Sequence, residues 1–311
     1  MQSRRKFLLQ TATAAMGTML VPSSMKAAML SKQKFPGYGL QLFTLFPKFE
    51  DDVTGNLKKI SEIGYTEIES AFSLKGGIYG LTPKEFAKQV SDAGMHWRSH
   101  HVLGAPFKMP KGATPPVGAD GKPLVIPPMK TLTGNSQELV DAAAAGGVQY
   151  LVCANIPIST ADEIKTAVEI FNKTAESCKK AGIEFAYHNH ATEFDIVDGI
   201  QPFEYILSHT DKNLVKMELD LGWVAKAKQD PVELFKKNPG RFPLWHLKDF
   251  SADFKTITEV GAGTVDFKRV FEHSKESGMK YFFLEQDGAP DPYVNIRNSY
   301  NNVKKMLDSM G

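Results

Sequence analysis

"TADEIKTAVEIFNKTAESCKKAGIEFAYHNH", residues 160–190, contains a whole helix-to-strand unit. Thr160, followed three residues later by Glu163, is a T-x-x-E capping box. Ile164, Val168, Phe171, Ala175 and Cys178 recur at spacings of 4, 3, 4 and 3, the apolar face of one helix. Gly182 stands where a helix ends and a strand begins. The run "IEFAYHNH" from Ile183 is apolar until it closes in His188, Asn189 and His190. The stretch therefore predicts an amphipathic helix feeding a buried strand whose carboxyl end carries polar side chains.

The same unit repeats along the chain. Strand-like runs begin at Tyr38 ("YGLQLF"), Tyr65 ("YTEIESA"), Met95 ("MHWRSHHV"), Val148 ("VQYLVCA"), Ile183, Leu214 ("LVKMELDL"), Phe242 ("FPLWHLKDF") and Tyr281 ("YFFLEQDG"). Gly64 and Gly94 occupy the same place as Gly182, Asp230 and Pro231 read as an N-cap and first helical residue, and Gly278 closes the helix of "DFKRVFEHSKES". Eight such units match an α/β fold of the (β/α)8 TIM barrel type, typically about 250 residues. A doubly wound sheet is the competitor, but no G-x-G-x-x-G follows the first run. No composition break divides the chain after the N-terminus, so residues 33–311 read as one domain. The long irregular segment Ala105–Lys130, rich in Pro and Gly, follows the third run. It reads as a lid or substrate wall over the barrel mouth, or as a disordered insertion.

The 311 residues are 42% hydrophobic and 23% charged with a net charge of +2, enough for a large core and without the single-signed field that nucleic-acid binding needs. A small-molecule partner is expected, and a homo-oligomer is left open. Residues 1–28, with Arg4 and Arg5 ahead of Phe7 and Leu8 and a short, interrupted apolar stretch, resemble a twin-arginine export signal. A membrane anchor or a basic amphipathic start is the alternative. The expectation is export to the periplasm or beyond through the twin-arginine machinery, with cleavage near Ala27 or Ala28. Cys153 and Cys178 read as two free buried thiols.

In a barrel, polar residues at the carboxyl ends of strands point into the site. The fifth run ends in His188, Asn189 and His190 with Glu193 close behind, the sixth at Asp220, the seventh at His246 followed by Lys248 and Asp249, and the eighth at Glu285 with Asp287 beyond. Charged groups gathered at one mouth repel one another unless a cation or a hydrogen-bonded network compensates. Two imidazoles and two carboxylates, His188, Asp220, His246 and Glu285, suit Mn, Zn, Co or Fe better than Mg or Ca.

The ordered motifs "GLQLF", "IGYTEIE", "GIEFAYHNHATEF", "MELDLGW", "WHLKDF", "VGAGTVDF" and "FFLEQDG" together resemble the xylose isomerase-like barrel family, the sugar phosphate isomerase/epimerase group. The resemblance implies a divalent metal held by four residues at the ends of the last four strands, usually Glu, Asp, His and Glu. Asp220, His246 and Glu285 match the second, third and fourth positions, and His188 falls where glutamate is usual. His188 is the candidate first ligand, with His190 or Glu193 as substitutes or supports; the alternative is that this stretch touches only substrate. In related epimerases the first and fourth glutamates exchange protons on opposite faces of a carbon. Here Glu285 can serve as one base, with Glu193, Lys248 or His190 as partner acid and the metal as Lewis acid on a developing enediolate.

The resemblance thus implies a metal-dependent sugar isomerase or epimerase acting on a carbohydrate or polyol carbonyl. A lyase, dehydratase or keto-glycoside-cleaving enzyme is the first alternative, and a non-catalytic sugar-binding barrel the second. Gln41, Glu69, His100, His101, Asn189, Trp223 and Asp287 are the candidate substrate contacts, with Trp223 and Trp245 either stacking on a sugar face or serving as core aromatics. The turn Gly261–Phe267 offers backbone N–H groups to which a phosphate could bind.

Overall fold

The computed structural model describes residues 35, 37–106 and 127–310, which belong to one compact unit. The strands are β1 (Gly39–Gln41), β2 (Glu67–Ser70), β3 (His96–Leu103), β4 (Tyr150–Asn155), β5 (Glu184–His188), β6 (Val215–Asp220), β7 (Leu244–Leu247), β8 (Asp249–Phe250), β9 (Ile257–Thr258) and β10 (Tyr281–Leu284). Eight of them close into a barrel in the order β1-β10-β7-β6-β5-β4-β3-β2, each pairing parallel to its neighbours. The strand starts expected at Tyr38, Tyr65, Met95, Val148, Ile183, Leu214 and Phe242 each precede a barrel strand by one or two residues, and Tyr281 is the first residue of its strand. β8 and β9 form a separate antiparallel hairpin after β7.

The barrel strands are buried on both faces over most of their length, as their near-continuous apolar runs require. Tyr150, Val152, Ala186, Leu244 and Phe283 pack together as one cluster inside the ring. A much larger cluster, with Phe171, Phe185, Ile206, Trp245 and Phe271 all fully buried, joins the ring to the helices around it. Trp245 is one of these core aromatics, stacked on Phe235 with centroids 5.1 Å apart.

Helix Ala161–Lys180 buries Ile164, Val168, Phe171, Ala175 and Cys178, the face expected from their spacing. Thr160 Oγ1 accepts from Glu163 N at 3.2 Å, whereas Glu163 accepts from Ser159 N at 2.7 Å, one residue earlier than a capping box requires. Gly182 and Gly278 adopt φ of 79° and 81°, left-handed values that let the chain turn from helix into strand. Asp230 caps helix Pro231–Lys237 through Val232 N at 2.9 Å. Among the described residues, no helix is long and apolar enough to cross a membrane. Residues 1–28, read as an export signal, and residues 107–126, the greater part of the expected lid, lie outside the described residues.

Candidate metal centre

Side chains alternate across a strand, so only every second residue of a barrel strand points inward. His101, His188, Glu218, Asp220 and His246 are such inward residues, all fully or almost fully buried. With Glu69, which is also fully buried, and Glu285 they form a layer near the carboxyl ends of the strands.

Glu218 Oε2 lies 2.6 Å from His101 Nε2, 3.0 Å from His188 Nδ1 and 3.1 Å from His246 Nε2. The first two are hydrogen bonds, and because a single oxygen can hand over at most one proton, at least one of the His101 and His188 rings donates to it. Glu69 accepts from Gln41 Nε2 at 2.7 Å and from Ser99 Oγ, and it contacts His101 and His246. Burial and the neighbouring Glu69 push Glu218 well above the usual carboxylate range. Burial also opposes the charge on Glu69, but His101 and His246 hold it well below that range.

The sequence anticipated one quartet of His188, Asp220, His246 and Glu285, and the structure divides it. Donor atoms of Asp220, His246 and Glu285 lie within 4.8 Å of one another, whereas His188 groups with His101, Glu218 and His246, so His246 is common to both sets. His188 Nε2 turns toward Asp220 Oδ2 at 4.0 Å, too long for a hydrogen bond. Asp220 Oδ1 caps Trp223 N at 2.9 Å, while Asp220 Oδ2 is buried with no hydrogen-bond partner. Burial, followed by the nearby His246, pushes the His188 ring well below its ordinary pKa and keeps it neutral, the form that ligates a metal. Burial opposes charge on His246 as well, but Glu218, Glu69 and Glu285 together raise it well above the ordinary value. Its Nδ1 sits 2.9 Å from Glu285 Oε2. A neutral imidazole, an orphaned buried carboxylate oxygen and a second carboxylate form a donor set that fits a divalent ion, which would take the place of the His246 proton.

Lys248, 2% exposed, is 2.9 Å from Glu285 Oε2, 3.6 Å from Asp220 Oδ2 and 2.6 Å from Asp287 Oδ2. Its burial is outweighed by those three acids, which keep it charged. Burial opposes ionisation of Glu285, but Lys248 and His246 hold it well below the usual range. Burial and then Glu285 push Asp287 up to about 6.

A cavity of about 340 Å³ opens onto this layer, lined on its polar side by His101, His188, His190, Lys248, Glu285 and Asp287. Of the other candidate contacts, Gln41, Glu69 and Asn189 are fully buried and do not line it. Asn189 instead accepts from Asp220 N at 3.1 Å, and Glu193 lies behind His190, bonded to the Tyr187 hydroxyl at 2.7 Å. Trp223 packs 5.7 Å from the His190 ring with Lys248 Nζ 5.1 Å from its centroid. His100 points to the opposite face of β3, bonded to Ser70 Oγ at 2.8 Å and packed near Trp97. Glu218 was not among the candidates. The signal was present in "MELD", where Glu218 precedes Asp220 by two and must share its face.

The backbone N–H groups that looked available for phosphate have an internal occupant. Gly261 N and Gly263 N donate to Asp249 Oδ2 at 3.0 and 2.9 Å, and Val265 N and Phe250 N donate to Oδ1 at 3.1 and 2.9 Å. The Asp249 carboxylate is the anion of this turn, so the turn presents no open phosphate cradle.

The profile of the xylose isomerase-like TIM barrel matches residues 57–306. The chain belongs to this family. A sugar phosphate isomerase/epimerase from Parabacteroides distasonis ATCC 8503 is 28% identical with a TM-score of 0.69, the match covering 87% of this chain and 98% of that one. An inosose dehydratase of Geobacillus kaustophilus (strain HTA426) is 27% identical over 164 residues, 45% of this chain and 53% of its own. The chain thus spans about half the length of the curated relatives it matches. The IolI protein, solved with a bound zinc atom, shares the fold at 15% identity and a TM-score of 0.63, over 88% of this chain and 98% of that one.

Proposed function

We propose that this barrel is a metal-dependent enzyme that removes a proton from the carbon next to a carbonyl of a carbohydrate or polyol. The observation that carries the reading is Asp220 Oδ2, a buried carboxylate oxygen without a hydrogen-bond partner, near His188, His246 and Glu285, of which His188 and Glu285 line the cavity. Asp220, His246 and Glu285, with His188 as fourth donor, would hold the ion, which supplies Lewis acidity toward the substrate's oxygens. Zinc in the IolI protein supports a borderline metal here.

Glu285 presents an unprotonated carboxylate at the cavity wall, and on that position it is assigned as the base. Lys248 is charged, lines the same wall and donates to Glu285, so it can stabilise or protonate a substrate oxygen on that side. His190 lines the cavity with Glu193 behind it as a positioning partner.

Isomerisation or epimerisation is the first reading, supported by the Parabacteroides relative. Elimination, as in a dehydratase or a lyase of keto-glycosides, is the second. It is favoured by His188 standing where a matching second carboxylate base would be, since elimination needs only one base and one acid. Residues 1–28 extend the proposal to an exported enzyme.

The test follows the metal-reconstituted protein with a panel of keto-sugars in D2O by NMR. Deuterium uptake at one carbon with a product of otherwise unchanged composition assigns isomerisation, and loss of water or an aglycone assigns elimination. No exchange and no product across the panel would overturn the functional reading.

A further inference from the structure

The cavity beside the proposed metal centre has a second wall that a free sugar does not explain. Phe43, Phe46 and Phe72, from the segments that follow β1 and β2, line it together with Leu103, Met129 and Ala154. The three rings contact one another with centroids 5.3, 5.4 and 5.5 Å apart. All three are only half-buried and stand outside the apolar cluster that joins the barrel to its helices. Apolar surface left at a cavity wall is costly unless something covers it, and grouped, partly buried aromatics of this kind mark binding sites.

A sugar ring stacks its C–H face on one flat aromatic platform and keeps its hydroxyls in water or on polar partners. Here the planes are inclined at 21°, 51° and 59° to one another, so the rings form a recess instead of a platform. A planar aromatic group can meet such rings in both stacked and tilted contacts, with centroids about 4.5–7 Å apart. The polar wall, with His190, Lys248, Glu285 and Asp287, lines the same space. One ligand can therefore present hydroxyls and a carbonyl to one wall and an aromatic ring to the other.

We propose that Phe43, Phe46 and Phe72 form a subsite for an aromatic aglycone, so that the natural ligand is an aryl-substituted sugar and not a free monosaccharide. The proposal rests on the reading of a sugar at the strand ends. It also gives the elimination chemistry a leaving group, held away from the base.

The experiment measures binding of matched phenyl, hexyl and methyl glycosides of glucose, galactose and xylose to the full-length, metal-reconstituted protein by isothermal titration. For at least one sugar, the phenyl glycoside should bind about tenfold to a hundredfold tighter than the methyl glycoside, the effect of burying one aromatic ring. In Phe46→Ala and Phe72→Ala that preference should fall to within about threefold, while circular dichroism and metal content stay as in the unmodified protein.

Equal affinities, no binding of any phenyl glycoside at millimolar concentration, or a preference that survives both substitutions would overturn the subsite and leave the rings to another occupant. Tighter binding of the hexyl than of the phenyl glycosides would make it an alkyl site and overturn it equally. A protein that keeps the phenyl preference but turns over no keto-sugar retains the subsite and loses the proposed reaction, so the two failures are distinguishable.

Discussion

Replacing Asp220 with asparagine separates its two jobs. Oδ1 caps helix Leu221–Lys226 through Trp223 N at 2.9 Å, and an asparagine carbonyl oxygen can keep that bond. Oδ2, which has no hydrogen-bond partner, becomes a neutral amide and the anionic donor is lost. Without metal, Asp220→Asn should therefore melt close to the unmodified protein, within about 1 kcal/mol. Asp220→Ala also loses the cap and should lie about 1 kcal/mol lower still.

With metal the two substitutions converge. Removing a side chain that merely orients a ligand costs about 10–100-fold in affinity, so removing the ligand itself should cost at least about 100-fold. At a metal concentration 100 times the Kd of the unmodified protein, binding stabilises it by about 2.7 kcal/mol, or about 5 °C for a chain of this size. A 100-fold weaker site at the same concentration gains only about 0.4 kcal/mol, less than about 1 °C. Differential scanning calorimetry with and without a chelator, beside metal titration by calorimetry, reads both numbers. An asparagine variant that keeps the full metal-induced shift would refute the assignment of Asp220 as a ligand.

Three further outcomes follow from the same geometry. Lys248→Met leaves Glu285, Asp220 and Asp287 without their shared cation, so the metal-free protein should lose about 3–5 kcal/mol in urea denaturation, partly restored by divalent metal; an unchanged midpoint would contradict this. Asp287, pushed up to about 6, is ionised and paired with Lys248 only above that pH, so in the metal-free protein its carboxyl carbon should titrate by NMR with a midpoint near 6, a transition absent from Asp287→Asn. Because its folded-state pKa is raised, the stability it contributes is present at low pH and fades as pH rises through about 6, a loss that melting curves of the asparagine variant should not show. Cys153 and Cys178 are free and buried, and burial pushes both thiols up, so a thiol reagent should label neither until the protein unfolds.

The barrel was legible because its signals are local. Thr160, the spacing from Ile164 to Cys178, Gly182 and the apolar run after it each reflect a backbone preference that tertiary packing did not override. The hairpin β8–β9 was not legible, since two-residue strands carry no period. At the site, the sequence named the strand ends correctly but could not resolve side-chain direction at adjacent positions. His100 and His101 look alike in the sequence, yet alternation turns one toward Ser70 and the other toward Glu218.

Glu218 was passed over for Asp220, although both face inward, because a buried acid that binds imidazoles and one free to bind a metal have the same letter pattern. The turn after "VGAG" showed its N–H groups in the sequence, but only the fold reveals that Asp249 already fills it.

The most direct test of the central claim is a crystal structure of the metal-reconstituted protein with anomalous diffraction at the metal edge. The account predicts one divalent ion held by Asp220, His246 and Glu285 with His188 as fourth protein donor, with metal–nitrogen and metal–oxygen bonds of about 2.0–2.2 Å. A protein that takes up no ion, or an anomalous peak away from these side chains, would contradict it.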